Sequence, residues 1–148
     1  MRILGVDYGT KRIGLAITDE NGLIAQPLMS LPNNGDENAA KRIAAIAKAR
    51  NASLIVVGIP KRTDNRTGIA QERSISFASL LRMVSKLPVE MFDERFTTSI
   101  AERTLLEADV PRRRRKHLRD AIAAALILQG YIESKILSKG VSGQLNQQ

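Results

Sequence analysis

The sequence predicts a single α/β domain with a mixed five-stranded sheet and helices on both faces. Three short apolar segments separated by turn signals open the chain, and two more strand-like runs alternate with helical patterns after them. Strands joined by tight turns pair antiparallel, whereas strands separated by a helix pair in parallel. With 148 residues, of which 43% are hydrophobic, the chain is long enough for one domain with a substantial core.

The first three strands are predicted at residues 2–7, at about 12–18 and at 23–31. A Gly9-Thr10 turn joins the first two, and Asn21-Gly22 is a strong turn signal before the third. Proline cannot donate a hydrogen bond to a neighbouring strand, so Pro27 places the third strand at an edge of the sheet.

Helices and strands alternate in the rest of the chain. Asp36 is expected to cap a helix that ends near Arg50, and the apolar run SLIVVGIP suits a strand covered on both faces. The later predictions are a helix to about Lys86, a strand at 89–92, a short helix from Ser99 to about Ala108, and a long helix from Pro111 to about Leu137. Residues 1–138 would form the domain, and the polar tail at 139–148 is expected to be disordered.

The composition indicates a polyanionic partner. The net charge is +8 and the pI is near 10.3, which favours nucleic acid over a membrane surface. The absence of cysteine excludes disulfides and thiolate metal sites. The N-terminus has no signal-peptide pattern and the run AIAAALILQGYI is short for a membrane span, so a soluble cytoplasmic protein is expected. Aromatic residues make up only 3%, which disfavours a module that binds by stacking several bases.

Three acidic positions stand at special places in the predicted fold. Asp7 ends the first strand, Glu94 follows the last strand, and Asp120 lies on or beside the apolar stripe of the long helix. Neighbouring alanines would let that helix lie close against the sheet. Carboxylates that meet raise one another's pKa unless a cation neutralises them, and oxygen-only clusters suit Mg²⁺, with Mn²⁺ as a substitute. Two such ions about 3.5–4 Å apart can drive phosphodiester hydrolysis.

The alternative for these acids is ordinary ion pairing. Glu94 and Asp120 each have an arginine next to them, Arg95 and Arg119, with which a surface salt bridge could form.

Basic residues near these acids predict a path for the phosphate backbone. Cations at a helix N-terminus cost a few tenths of a kcal/mol each. The run of cations before the long helix therefore points to a ligand rather than to a solvated face. Binding through them would be salt-dependent and largely indifferent to base sequence. The candidates are Lys11, Arg12, Lys61, Arg62, Arg112, Arg113, Arg114, Arg115, Lys116 and Arg119.

Several motifs together resemble the YqgF (RuvX) family of nucleases. They are GVDYGTKRIGLAITD, LIAQPL, IVVGIP, FDERFTT and DAIAAALILQGY, and they extend to about Glu133. The resemblance implies an RNase H-like fold, a bacterial cytoplasmic setting and a nuclease that processes the 5′ end of the 16S rRNA precursor in ribosome biogenesis. It also implies that Asp7, Glu94 and Asp120 are the catalytic, metal-binding acids. The chain departs from the family in the loop Lys61–Asn65, where two cations precede Asp64.

Other functions stay open at this point. Holliday junction resolution on branched DNA is the alternative enzymatic role, and a non-catalytic RNA- or ribosome-binding protein would also use the basic residues. The opening GVDYGTK resembles the phosphate-binding hairpin of sugar kinases and actin-like ATPases, although no glycine-rich adenosine site follows it. The oligomeric state is open, with a monomer the simpler expectation because no apolar helix is surplus to the core.

Overall fold

A computed structural model describes residues 1–60, 67–96 and 118–146 of the chain. The strands are β1 (Arg2–Asp7), β2 (Arg12–Thr18), β3 (Ala25–Pro32), β4 (Ala52–Ile59) and β5 (Val89–Asp93). The helices are α1 (Asp36–Ala49), α2 (Thr67–Ser85) and α3 (Arg119–Asn146), and a 3₁₀ turn spans Glu94–Phe96. The predicted α/β class is confirmed.

The five strands form one mixed sheet in the order β3-β2-β1-β4-β5. β1–β2 and β2–β3 are antiparallel, whereas β1–β4 and β4–β5 are parallel. β3, which contains Pro27, lies at an edge as predicted, where the missing N–H disturbs no ladder. Because β1, β4 and β5 run in the same direction, their carboxyl ends lie at the same edge of the sheet. That edge is where β1 ends at Asp7 and β5 ends at Asp93.

Helices cover both faces of the sheet, as the apolar run of β4 predicted. α1 and α2 pack on one face, over a core that includes Leu4, Val57 and Phe77. α3 packs on the other face, where Ala121, Ala124 and Ala125 are fully buried. The small alanine side chains bring the helix close to the strands, which confirms the expectation drawn from the sequence.

The start of α1 differs from the expectation. Gly35 occupies the cap position without a side-chain cap, and Asp36 is the first helical residue. The carboxylate of Asp36 accepts hydrogen bonds from the Tyr8 hydroxyl at 2.9 Å and from the Asn33 amide at 3.1 Å. These partners replace the helix N–H groups, so the predicted capping role of Asp36 is wrong, although its charge still suits the helix N-terminus.

Both ends of α3 also differ from the expectation. The helix begins at Arg119 rather than after Pro111, and Asp120 therefore lies in its first turn, where the helix dipole favours an acid over a run of cations. It continues through the polar tail as far as Asn146, so the end expected near Leu137 is wrong. The tail contains no proline, and an isolated glycine in a helix costs only about 1 kcal/mol. The short helix expected at 99–108 lies outside the described residues.

α3 also corrects the expectation about membrane-length segments. Residues Arg119–Lys139 are long and apolar enough, by length and composition alone, to cross a membrane. Half of the apolar window is buried inside the protein, as in the core helix of a globular domain. The apolar stripe of α3 is therefore accounted for by the sheet that it covers.

Candidate active site

Asp7 lies at the edge of the sheet where the carboxyl ends of β1, β4 and β5 meet. Its side chain stands at the end of β1 and is largely buried. Burial, followed by the negative charges of Glu94 and Asp120, raises the pKa of Asp7 from 3.8 to about 7. A carboxylate feels such charges only when they are close and poorly screened. The fold therefore brings Glu94 and Asp120 within electrostatic reach of Asp7, the third acid predicted from the sequence.

Asp120 is held by two other strands of the sheet. Its Oδ2 atom accepts a hydrogen bond from Arg12 Nε on β2 at 2.9 Å and another from the Ser30 hydroxyl on β3 at 2.9 Å. The arginine side chain is 64% exposed and that of Asp120 is 27% exposed, so the ion pair is only partly shielded from water. The two contacts fix the carboxylate over β2.

Gly14 allows the first turn of α3 to reach that position. It pairs with Asp7 across the β1–β2 ladder, so the two residues lie side by side. A Cβ atom at Gly14 would lie 1.9 Å from the carbonyl oxygen of Asp120, which is an impossible contact with backbone. The missing side chain thus places the backbone of Asp120 directly against the strand that neighbours Asp7.

The acids at the end of β5 have different surroundings. Arg95 donates from its backbone N–H to Asp93 Oδ1 at 2.9 Å and from Nε to Oδ2 at 3.0 Å. Asp93 is therefore neutralised by Arg95, two residues further along the chain. The negative charge of Glu94 contributes to the raised pKa of Asp7.

The ion-pair alternative is thus partly correct, but with other partners. Arg95 pairs with Asp93, and Asp120 pairs with Arg12.

The turn after Asp7 is braced by a polar network. The Asn33 amide donates to the carbonyl of Gly9 at 3.0 Å and to Asp36, which also accepts from the Tyr8 hydroxyl. The Tyr8 ring stacks on Phe77, with the ring centroids 4.7 Å apart. These contacts tie the β1–β2 turn to α1 and α2, and so limit the movement of the adjacent Asp7.

The residue types at this edge of the sheet fit a magnesium ion, but the described side chains do not form a complete set of metal ligands. Across residues 1–60, 67–96 and 118–146, no three His, Cys, Asp or Glu side chains lie close enough together to hold a metal ion. One oxygen of Asp120 is already bound to Arg12 and Ser30. The raised pKa of Asp7 is still the response expected of carboxylates that a cation would neutralise.

Three of the ten predicted phosphate-binding residues lie within the described part of the chain. Lys11 is exposed in the β1–β2 turn and Arg119 is exposed at the first position of α3. Arg12 is exposed too, but its guanidinium is bound to Asp120. The other seven predicted residues, and Asp64, lie outside the described residues.

Gly14, Ser30 and Tyr8 were not predicted from the sequence. A glycine inside a strand pattern is a signal for close backbone approach, so Gly14 could have been found. Ser30 and Tyr8 gave no comparable signal, because their partners Asp120 and Asp36 are 90 and 28 residues away in the chain.

Comparison with known proteins adds to this geometry. Residues 1–134 match the family model described as "RuvX: Holliday junction resolvase". A relative from Clostridioides difficile (strain 630) is 42% identical over 137 residues, which cover 93% of this chain and 97% of the relative. One from Bacillus cereus (strain G9842) is 44% identical and covers 91% of this chain and 100% of the relative. Both carry the name "Putative pre-16S rRNA nuclease".

Solved structures share the fold. A Thermus thermophilus RuvC, determined in complex with a Holliday junction substrate, superposes with a TM-score of 0.59 at 18% identity, covering 91% of this chain and 96% of that one. The fowlpox virus Holliday junction resolvase gives a TM-score of 0.51 at 17% identity, covering 90% of this chain and 99% of that one. At these identities the likeness concerns the fold, and it confirms the RNase H-like architecture that the sequence resemblance implied.

Proposed function

Because the chain belongs to the RuvX family, we propose that it is a nuclease that hydrolyses phosphodiester bonds in structured nucleic acid. The favoured substrate is the 16S rRNA precursor, since curated relatives at 42% and 44% identity carry the name "Putative pre-16S rRNA nuclease". The 5′ end is the part of that precursor that the sequence resemblance implied. This role would place the protein in the cytoplasm, in contact with pre-ribosomal particles.

The main support for the proposal is that the negative charges of Glu94 and Asp120 act on the buried Asp7. A protein that only bound nucleic acid would gain nothing from carboxylates beside the phosphate path, because they repel phosphates. Here burial and two further acids hold the pKa of Asp7 near 7. Such perturbed groups are concentrated at functional sites, where the cost in stability is offset by activity.

Asp7, Glu94 and Asp120 are the residues that would hold Mg²⁺ or Mn²⁺. A bound divalent ion would neutralise the cluster and stabilise the charge that develops on the phosphodiester during hydrolysis. Ser30 and Arg12 position Asp120, and Gly14 keeps its backbone against β2.

Lys11 and Arg119 would contact the substrate backbone. Both are exposed, Lys11 in the turn that follows β1 and Arg119 at the start of α3 next to Asp120. Contacts of this kind set the register of the strand without reading its bases. They fit a substrate chosen by shape, which both structured RNA and branched DNA offer.

Branched DNA is the second candidate substrate, and the description of the matching family model favours it. The same acids and cations would serve either substrate, because the two present the same phosphates.

The deciding experiment is cleavage of an end-labelled 16S rRNA precursor and of a four-way DNA junction. Each substrate is incubated with Mg²⁺, Mn²⁺ or chelator, using the wild type and Asp7→Asn. Glu20→Gln is the matched carboxylate-to-amide control, because Glu20 is exposed at the opposite end of the sheet. Metal-dependent cuts that are lost only in Asp7→Asn support the nuclease, and the preferred substrate decides between the two roles. Salt-sensitive binding without cleavage would refute it.

A further inference from the structure

One aromatic ring stands exposed beside the acids. Phe96 lies two residues after Glu94 in the 3₁₀ turn at the carboxyl end of β5, and 58% of it is exposed. The sequence contains three Phe and two Tyr, and the structure describes all of them. The other four are buried or half-buried, namely Tyr8, Phe77, Phe92 and Tyr131.

The ring of Phe96 is held in place by its neighbours. It packs against Phe92 with centroids 6.2 Å apart at an angle of 54°, and Phe92 in turn meets the edge of Tyr131. The Arg95 guanidinium carbon lies 5.6 Å from the Phe96 centroid, and Asp93 fixes that guanidinium through Nε. A ring that is already oriented loses little conformational freedom when a ligand binds.

The chemistry of this position suits an unpaired nucleobase. Exposed aromatic rings bind bases by stacking, and an arginine beside the ring adds cation–π attraction. The net charge of +8 favours a polyanion, and the nearby acids are where the backbone would be cut. A neutral sugar would not account for the net charge of +8, and an anionic lipid surface would not account for the adjacent carboxylates.

We propose that Phe96 and Arg95 form a stacking site for one unpaired nucleobase of the substrate strand next to the scissile phosphate. This inference rests on the proposed nuclease function and adds a base contact to a site otherwise built for phosphates. It refines the sequence expectation, because one held ring can position a strand although the chain lacks the several rings of a stacking module.

The absence of tryptophan from the chain provides a direct test. Phe96→Trp, made in the Asp7→Asn background to prevent cleavage, introduces a single reporter at the site. It is titrated with single-stranded RNA and DNA oligonucleotides and with abasic strands of the same length and charge. Met83→Trp in the same background is the control, because Met83 is 75% exposed near the end of α2, towards the amino ends of the strands.

Intact strands should strongly quench the fluorescence of the Phe96→Trp protein, and abasic strands should quench it weakly. The fluorescence of the Met83→Trp protein should respond to neither. Phe96→Leu, which keeps an apolar contact to Phe92, should bind intact strands about 5- to 100-fold more weakly and abasic strands unchanged, as the loss of one stacked base predicts. The stronger quenching by RNA or by DNA identifies which strand supplies the base.

Equal quenching by intact and abasic strands, or unchanged binding by Phe96→Leu, would overturn the stacking site. Neither result would affect the nuclease proposal, which the cleavage assay tests separately. Conversely, base-dependent quenching in a protein whose wild type cuts neither substrate would refute the nuclease and leave the base-binding site in place.

Discussion

Replacing Asp7 by Asn is expected to stabilise the metal-free protein at pH 8 while abolishing cleavage. The pKa of Asp7 is raised from 3.8 to about 7 by burial and by the charges of Glu94 and Asp120. At about 1.4 kcal/mol per pH unit, this rise sets an upper limit of about 4 kcal/mol on the cost of keeping Asp7 ionised in the folded state. Asparagine has nearly the same shape and carries no charge, so it removes that cost.

The sign of the pH dependence follows from proton binding. Between pH 4 and pH 7 the folded protein holds a proton on Asp7 that the unfolded chain has released. The contribution of Asp7 is therefore fully present below pH 4 and is lost as the pH rises through 7. The variant lacks this dependence, so its advantage over the wild type should grow from near zero at pH 4 to about 2–4 kcal/mol at pH 8.

Urea unfolding at several pH values, in the presence of chelator, measures this difference. Asp19→Asn is the control of opposite sign, because the backbone N–H groups of Leu23 and Ile24 donate to that carboxylate and lower its pKa. It should lose stability at pH 8. Adding Mg²⁺ should stabilise the wild type more than Asp7→Asn, since a ligand of the folded state raises its stability. If Asp7→Asn were no more stable than the wild type at pH 8, the raised pKa of Asp7 would be refuted.

Three further predictions concern the packing of α3 on the sheet and the cations near the site. Gly14→Ala should cost about 1–3 kcal/mol, measured by urea unfolding, and should reduce cleavage, because its Cβ would displace the backbone of Asp120. Gln129→Ala should lower the free energy of unfolding by about 1–3 kcal/mol. The buried Gln129 side chain accepts a hydrogen bond from the backbone N–H of Ala25 in β3 at 2.8 Å, and its removal would leave that N–H unpaired. Lys11→Ala should lower the salt-dependence slope of nucleic-acid binding by about 1, whereas Arg12→Ala should change it little, because that charge is offset by an acid.

Matched control variants distinguish these effects from a general loss of stability. A Cβ atom at Gly68 would have no neighbour within 4 Å, so Gly68→Ala should not destabilise α2. Gln26→Ala removes an exposed glutamine from β3, the strand that Gln129 supports. A Gly14→Ala protein as stable and active as Gly68→Ala would contradict the close approach of α3. Equal salt slopes for Lys11→Ala and Arg12→Ala would contradict the assignment of Arg12 to Asp120.

The sequence was sufficient for the sheet, and it singled out the acids whose charges act on one another in the fold. Turn signals separate the first three strands, Pro27 marks an edge, and the continuous apolar run of β4 requires cover on both faces. Asp7 and Glu94 are recognisable because a charged residue is unusual at the end of an apolar strand. These are local properties, which depend on residues next to one another in the chain.

Helix ends were predicted less well than strands. Asp36 looked like a cap, but the distant Tyr8 hydroxyl and the nearby Asn33 amide bind its carboxylate. α3 was expected to include the arginines before it and to end near Leu137, and it begins at Arg119 and ends at Asn146 instead. Helix ends depend on small differences between competing hydrogen bonds, so local patterns locate them poorly.

Only the tertiary structure decided how the acids are held and which cations remain available. Arg12 and Ser30 meet Asp120 across 108 and 90 residues, and the approach depends on the absence of a side chain at Gly14. The sequence predicted that Arg12 binds phosphate, whereas in the structure Arg12 forms an ion pair with Asp120. The sequence therefore identified the acids whose charges meet at Asp7, because charge and strand pattern are local. The packing of α3 on β2 decided their partners, because those contacts join distant parts of the chain.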